Sequence, residues 1–398
     1  MDAKIERGMY GVLLLLAFAS NISTGATSLA ISVGAVLMVW QGILRRQWPA
    51  VDRRLLQVVL LYCAAQCLIA AFSQEPRISF HDVWATTYRF LPLFFAMLYI
   101  RTEKQVWQLC LAFLLSMLID VVCGGYQYVI LNEVRVNSLN NAPTLFSSFM
   151  LMGIAMAIFL MQARQASVYL RYLAGVALAG GVWMLLASGA RGSWLALGGM
   201  LLALLLIAGR AHKKLLASVL LAAVCFSGLT YLFSAAAWRP YSTVDERLYM
   251  WTSALHMAED YPILGAGQDE FGRLYNTKYI LPEARERAKT SDPRSGHGHP
   301  HNNLMKIASE GGLVGVLAFF FLHGYIFYRL LCQYKVEKHK KLPLFAMAGI
   351  LLFLGLQMEG FSDTNINQVP IMREYWLLMG IILAAGRVFQ RREDFLDR

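Results

Sequence analysis

The sequence predicts an all-α, polytopic integral membrane protein with about twelve transmembrane helices and one large, partly helical outer loop. Three observations predict it. Hydrophobic residues make up 57% of the chain and charged residues 15%, against about 45–50% and about 25% in soluble domains. Apolar stretches recur along the chain at the roughly 20 residues needed to cross about 30 Å of hydrocarbon. Lysine and arginine are strongly segregated between alternate connections, as the positive-inside rule requires.

The expected spans are 8–20, 25–44, 55–72, 83–100, 105–131, 143–162, 170–187, 193–209, 215–236, 306–332, 343–360 and 372–389. With the N-terminus inside, the inner connections hold 22 of the 36 basic residues. The short outer ones hold only Arg77, Arg135, Arg191 and Arg373. The net charge of +11 is therefore mainly a topology signal, and nucleic acid is not needed to explain it. Residues 1–20 resemble a signal peptide, but we read them as an uncleaved first helix. Three units follow: residues 1–236 with helices one to nine, the outer loop 237–303, and residues 304–398 with helices ten to twelve and an inner tail. The six cysteines all fall in or beside expected helices, so no disulfide is expected to staple the loop.

In order along the chain, Arg89 lies in an expected span, where an ionisable group is costly and marks function, unless it snorkels to the surface. Asp120 is a lone carboxylate in an apolar run, expected to be hydrogen-bonded within the bundle. Arg135 sits in a polar outer loop, as a ligand contact or a solvated charge. The connection Ser188-Gly189-Ala190-Arg191-Gly192 sets Arg191 at a helix start on the outer face. There it forms an anion site with the free helix amides or serves as an interfacial anchor.

In the loop, Thr243-Val244-Asp245-Glu246 fits a capping box. The helix that follows runs to about Asp260, with Leu248, Trp251, Leu255 and Ala258 as its apolar face and Arg247 in its first turn. A second short helix is expected over 271–280. Residues 281–300 read as a mobile flap. The loop is too small for a large core of its own and is expected to pack on the bundle.

The stretch GHGHPHNNLMKIASEGGLVG, residues 296–315, carries the chemistry. Alternate residues of an extended chain share a face, so His297, His299 and His301 could bind metal, although no carboxylate or cysteine follows at ligand spacing. The other reading is one working imidazole. His301 is best placed for it, directly before Asn302 and Asn303 at the next helix start, where a base can work near neutral pH. Walker A, G-x-S-x-G, H-E-x-x-H and D-x-D patterns are missing. Several arginines with one histidine suit transfer from a lipid-linked diphosphate. Such a leaving group needs positive charge, and the acceptor hydroxyl needs a base.

These residues resemble the bacterial O-antigen ligase family, which is related to O-antigen polymerases and protein O-oligosaccharyltransferases. Ser188 to Gly192 is similar to its S-x-R-G element. Arg247 and Trp251, then Pro262, Gly265, Gly267 and Phe271, are similar to its R-x-x-x-W…P-x-x-G-x-G…F element. His301, Asn302 and Leu304, then Glu310-Gly311 and Gly315, are similar to its H-N-x-x-L…E-x-G element. The resemblance covers essentially the whole chain.

It implies an inner-membrane glycosyltransferase that acts on the periplasmic face, needs no metal or other cofactor, and inverts the transferred sugar. It would move O-antigen polysaccharide from undecaprenyl diphosphate to the lipid A-core oligosaccharide in lipopolysaccharide biosynthesis. Carried over, Arg191 and Arg247 bind diphosphate and His301 is the base. Arg89, Asn302 and Trp251 are expected to bind substrate. The alternatives are a polymerase or protein O-oligosaccharyltransferase using the same donor and, more distantly, a transporter with Arg89 and Asp120 on its path.

Overall fold

The computed structural model describes residues 2–46, 51–208, 242–290 and 298–396. Among them there are helices and turns and no strand. The helices are α1 (Asp2–Ala19), α2 (Thr24–Arg45), α3 (Arg53–Ala71), α4 (Pro76–Thr87), α5 (Leu91–Tyr99), α6 (Glu103–Val129), α7 (Pro143–Gln162), α8 (Val168–Ala187) and α9 (Arg191–Ala208). After the undescribed residues come α10 (Ser242–Asp260), α11 (Phe271–Leu274), α12 (Pro282–Thr290), α13 (Asn303–His339), α14 (Phe345–Glu359) and α15 (Val369–Leu396).

Local chemistry sets many of the starts. Thr102 and Gln105 form a full capping box before α6, and the Ser23, Asp52 and Ser167 side chains cap α2, α3 and α8. Pro143 opens α7, where its missing N–H costs nothing.

Seven described helices are long and apolar enough to cross a membrane: α2, α3, α6, α7, α8, α13 and α15. Helices α9 and α14 are apolar but shorter. The expected span 83–100 is not one helix: a 3₁₀ turn at Tyr88–Phe90 divides α4 from α5. The span expected over 215–236 lies outside the described residues. Length and composition thus account for fewer spans than the twelve expected.

Helix α7 is buried over 89% of its apolar window and α2 over only 33%. So α7 runs through the middle of the bundle, against α8 and α14, while α2 faces outward. The main apolar core joins α1 to α3, α5 to α9 and α13 to α15.

The segment 242–290 packs on this bundle through α10 against α13 and has a small core of Met250, Ala254, Met257, Phe271 and Tyr275. The buried face of α10 therefore differs from the one expected: Leu248 and Leu255 are about half exposed. Both stripes have three-to-four spacing, so periodicity alone does not choose between them; the partner helix does. The expected flap also needs correction, because Pro282–Thr290 is helical. The short helix expected at 271–280 is one α-turn followed by a wider π-turn at Tyr275–Tyr279.

Helix α13 breaks at Gly312 (φ 54°, ψ −154°). A break strands carbonyls on one side and amides on the other. Residues 262–267 answer both. The amides of Ala266 and Gly267 donate to the carbonyls of Ser309 and Glu310 at 2.9 and 3.0 Å. The amides of Leu313 and Val314 donate to the carbonyls of Pro262 and Ile263 at 2.9 and 3.0 Å. The approach requires glycine: a Cβ on Gly265 would lie 2.2 Å from the Glu310 carbonyl carbon, and one on Gly312 would lie 2.5 Å from the Gly265 nitrogen. Glu310 completes the clamp, taking the Phe271 amide at 3.1 Å and a buried ion pair with Lys306 at 2.6 Å.

Candidate active site at one end of the bundle

His301 precedes the first turn of α13 with its backbone in the left-handed region, φ 49°. Asn302 is the cap: its side-chain oxygen accepts the amides of Leu304 and Met305 at 2.9 and 3.1 Å. Both asparagines also rivet this turn to residues 360–368, the connection from α14 to α15. The Asn302 amide donates to Thr364 Oγ1 at 3.1 Å, and its side chain donates to the Phe361 carbonyl at 3.1 Å. Asn303 exchanges bonds with Asn365, Nδ2 to Oδ1 at 2.7 Å and backbone N to Oδ1 at 3.1 Å.

The rivets bring His301 Nδ1 to 2.9 Å from Asp363 Oδ1. Burial works against ionisation of Asp363. The bond and charge of His301, with the Thr364 amide at 2.8 Å, outweigh it and hold the carboxyl below its ordinary value. An ionised carboxylate only accepts, so Nδ1 carries a proton, and the neutral form of the ring has its lone pair on Nε2.

His299 does not sit out in a flap. Its ring lies edge-on to His301 at 4.3 Å, and burial, then the neighbouring His301, hold its pKa down at about 4. His297 lies outside the described residues.

The same connection meets the Arg191 turn and Arg89. A Cβ on Gly192 would fall 1.6 Å from Ser362 Oγ, so the turn bearing Arg191 lies directly against the residue before Asp363. Arg191 itself is exposed at the start of α9. Arg135 Nε donates to the Ser188 carbonyl at 3.3 Å, which puts a second guanidinium on this turn. Trp251 Nε1 donates to the Pro300 carbonyl at 2.9 Å, beside His301. Arg247 is one turn earlier on α10 and shares the face of Trp251.

Arg89 does not snorkel. It is 2% exposed and donates to the Ile366 carbonyl at 3.1 Å, holding the 360–368 connection from below. Asp120 is buried against the α6–α7 loop, accepting from the Leu139 amide and the Asn140 side chain at 3.4 and 3.2 Å. Both groups on which a transport path would rest are thus engaged with loop segments. Behind the site, Glu359 accepts from Ser148 at 2.7 Å and from Ser193 at 2.5 Å, tying α7 and α9 to the end of α14.

Beside Asn303 and Gly360 an apolar groove of about 300 Å³ opens between α13 and α14, lined by Phe319, Phe320, Phe327 and Phe353.

The residue that sequence reasoning missed is Asp363. Its signal was the polar run Ser362 to Gln368 between two apolar spans, placed on the outer side by the charge alternation.

The O-antigen ligase family profile matches residues 173–320, somewhat over a third of the chain. Over those residues the chain is similar to the O-antigen ligase domain. The matched stretch runs from within α8 to within α13 and contains Arg191, Arg247, Trp251, His301 and the Gly312 clamp. Asp363 and Arg89 lie outside it. The match indicates a membrane enzyme of the O-antigen ligase or polymerase type. None of the curated proteins compared with the chain matches it.

Proposed function

We propose that the protein is an O-antigen ligase of the bacterial inner membrane, with its site on the periplasmic face. It transfers O-antigen polysaccharide from undecaprenyl diphosphate to a hydroxyl of the lipid A-core oligosaccharide. The observation that carries this reading is the His301–Asp363 pair, held beside the Arg191 turn and the Arg247–Trp251 face.

His301 Nε2 takes the proton of the acceptor hydroxyl while the oxygen attacks the anomeric carbon from the side opposite the diphosphate, inverting that centre. The C–O bond to phosphate breaks and its electrons leave with the diphosphate. Arg191 and Arg247 hold that anion; its departure needs positive charge rather than a protonating acid. Asp363 keeps the ring in the working tautomer and stabilises the imidazolium that forms. The apolar groove at Asn303 and Gly360 suits the single prenyl chain of the donor.

Purified protein in lipid nanodiscs, given lipid-linked glycan and lipid A-core, should form product on lipid A-core. His301→Ala should lower the rate by roughly 10²–10⁴-fold while the protein stays folded and inserted. Full transfer by His301→Ala would sink the base assignment. Lipid-linked glycan alone and a pilin-like acceptor complete the comparison: product with either, and none on lipid A-core, would favour a polymerase or a protein O-oligosaccharyltransferase.

A further inference from the structure

The pairing of His301 with Asp363 leaves a third donor unexplained. His299 Nδ1 is buried and has no hydrogen-bond partner among the described residues. One ring nitrogen from each of His299 and His301 and one carboxylate oxygen of Asp363 lie within 4.8 Å of one another. Two imidazoles and a carboxylate make a borderline-soft donor set that suits zinc, with a fourth position left for water. Hard cations such as Mg²⁺ prefer oxygen ligands and are poorly served by it.

Zinc bonds of about 2.0–2.1 Å place tetrahedral ligands roughly 3.4 Å apart. His301 Nδ1 and Asp363 Oδ1 are 2.9 Å apart, so this pair opens by about half an ångström to admit the ion while His299 closes from within 4.8 Å.

We propose that His299, His301 and Asp363 form a Zn²⁺ site whose occupation switches transfer off. A metal ion entering between His301 and Asp363 takes the Nδ1 lone pair, so the one ring proton moves through solvent from Nδ1 to Nε2. Nε2 then carries a proton and can no longer take one from the acceptor hydroxyl. His299 contributes to metal capture alone and has no part in the transfer step. The switching rests on the reading of His301 as the base; the binding does not.

The test uses full-length, tag-free protein in nanodiscs, stripped with EDTA. Calorimetry with ZnCl₂ should show one strong site, and X-ray absorption should report nitrogen and oxygen ligands. His299→Gln removes a ligand outright and should weaken binding at least as much as loss of a supporting group does, about tenfold or more. In the transfer assay Zn²⁺ should inhibit the unmodified protein and EDTA should restore it, while Mg²⁺ at the same concentration has no such effect. His299→Gln should keep its rate in EDTA and resist Zn²⁺.

The proposal is overturned if the unmodified protein binds no zinc, or if His299→Gln binds it equally well. It is also overturned if zinc binds and transfer continues undiminished. Zinc binding that depends on His299 in a protein with no transfer activity under any condition would leave the site standing and remove the enzymatic reading.

Discussion

His301 holds a backbone conformation that a side-chain-bearing residue seldom adopts, at a cost of order 1–3 kcal/mol. The Asn302 cap, the Thr364 bond and the Trp251 bond to Pro300 hold it there. The ring then points at Asp363 instead of lying along the chain. Asp363 is the residue whose chemistry can be separated from its packing. An asparagine in its place keeps the shape but can donate to Nδ1, which puts the ring proton on the nitrogen that must accept one. We expect Asp363→Asn to lower kcat by at least roughly a hundredfold, with KM for the lipid-linked donor nearly unchanged. The folded-state pKa of Asp363 is depressed. Its contribution to stability is therefore present above the unfolded value, about 3.9, and is lost as pH falls through the still lower folded value. Across the neutral range it stays ionised, so a fall in rate there reports another group.

At the scale of elements, the break in α13 explains why two separated stretches share one pattern of glycines. Residues 262–267 and 309–314 satisfy each other's stranded backbone groups at a spacing that admits no side chain. Alanine at Gly312 would meet backbone atoms on the opposite strand of the clamp and would be held at positive φ. Gly312→Ala should cost about 2–4 kcal/mol, read as a marked fall in the thermal midpoint in detergent. Gly198, on the open face of α9, has nothing within 4 Å of the place an added methyl would take, and Gly198→Ala should leave the midpoint unchanged or raise it slightly. Equal effects at both positions would count against the clamp. Glu310 belongs to this device: its bonds go to Phe271 and Lys306, away from His301.

At the scale of the molecule, the site is an assembly of segments that are far apart in the chain. The 360–368 connection meets the α9 start, the α13 start and the 3₁₀ turn after α4. A site built this way needs the α4–α5, α8–α9 and α14–α15 connections on one side of the membrane. In a protein whose native cysteines are replaced, we expect Glu133→Cys to react with a membrane-impermeant maleimide on spheroplasts. Arg164→Cys should react only after lysis. The reverse pattern would put the site on the cytoplasmic face.

Much of this was legible in sequence. Helix positions follow from apolar length and the start of α13 from Asn302, because each depends on forces that act within a few residues or on the bilayer itself. His301 stood out for the same reason, being a titratable group at a helix start. Other features depend on which surfaces meet: the buried stripe of α10, the helical turn at Pro282–Thr290, the ring contact of His299 and the partnership of His301 with Asp363. The last of these joins residues 62 positions apart. Chain position carries no record of such a meeting, because it is decided when α13, α14 and α15 pack and their polar ends find one another in place of water.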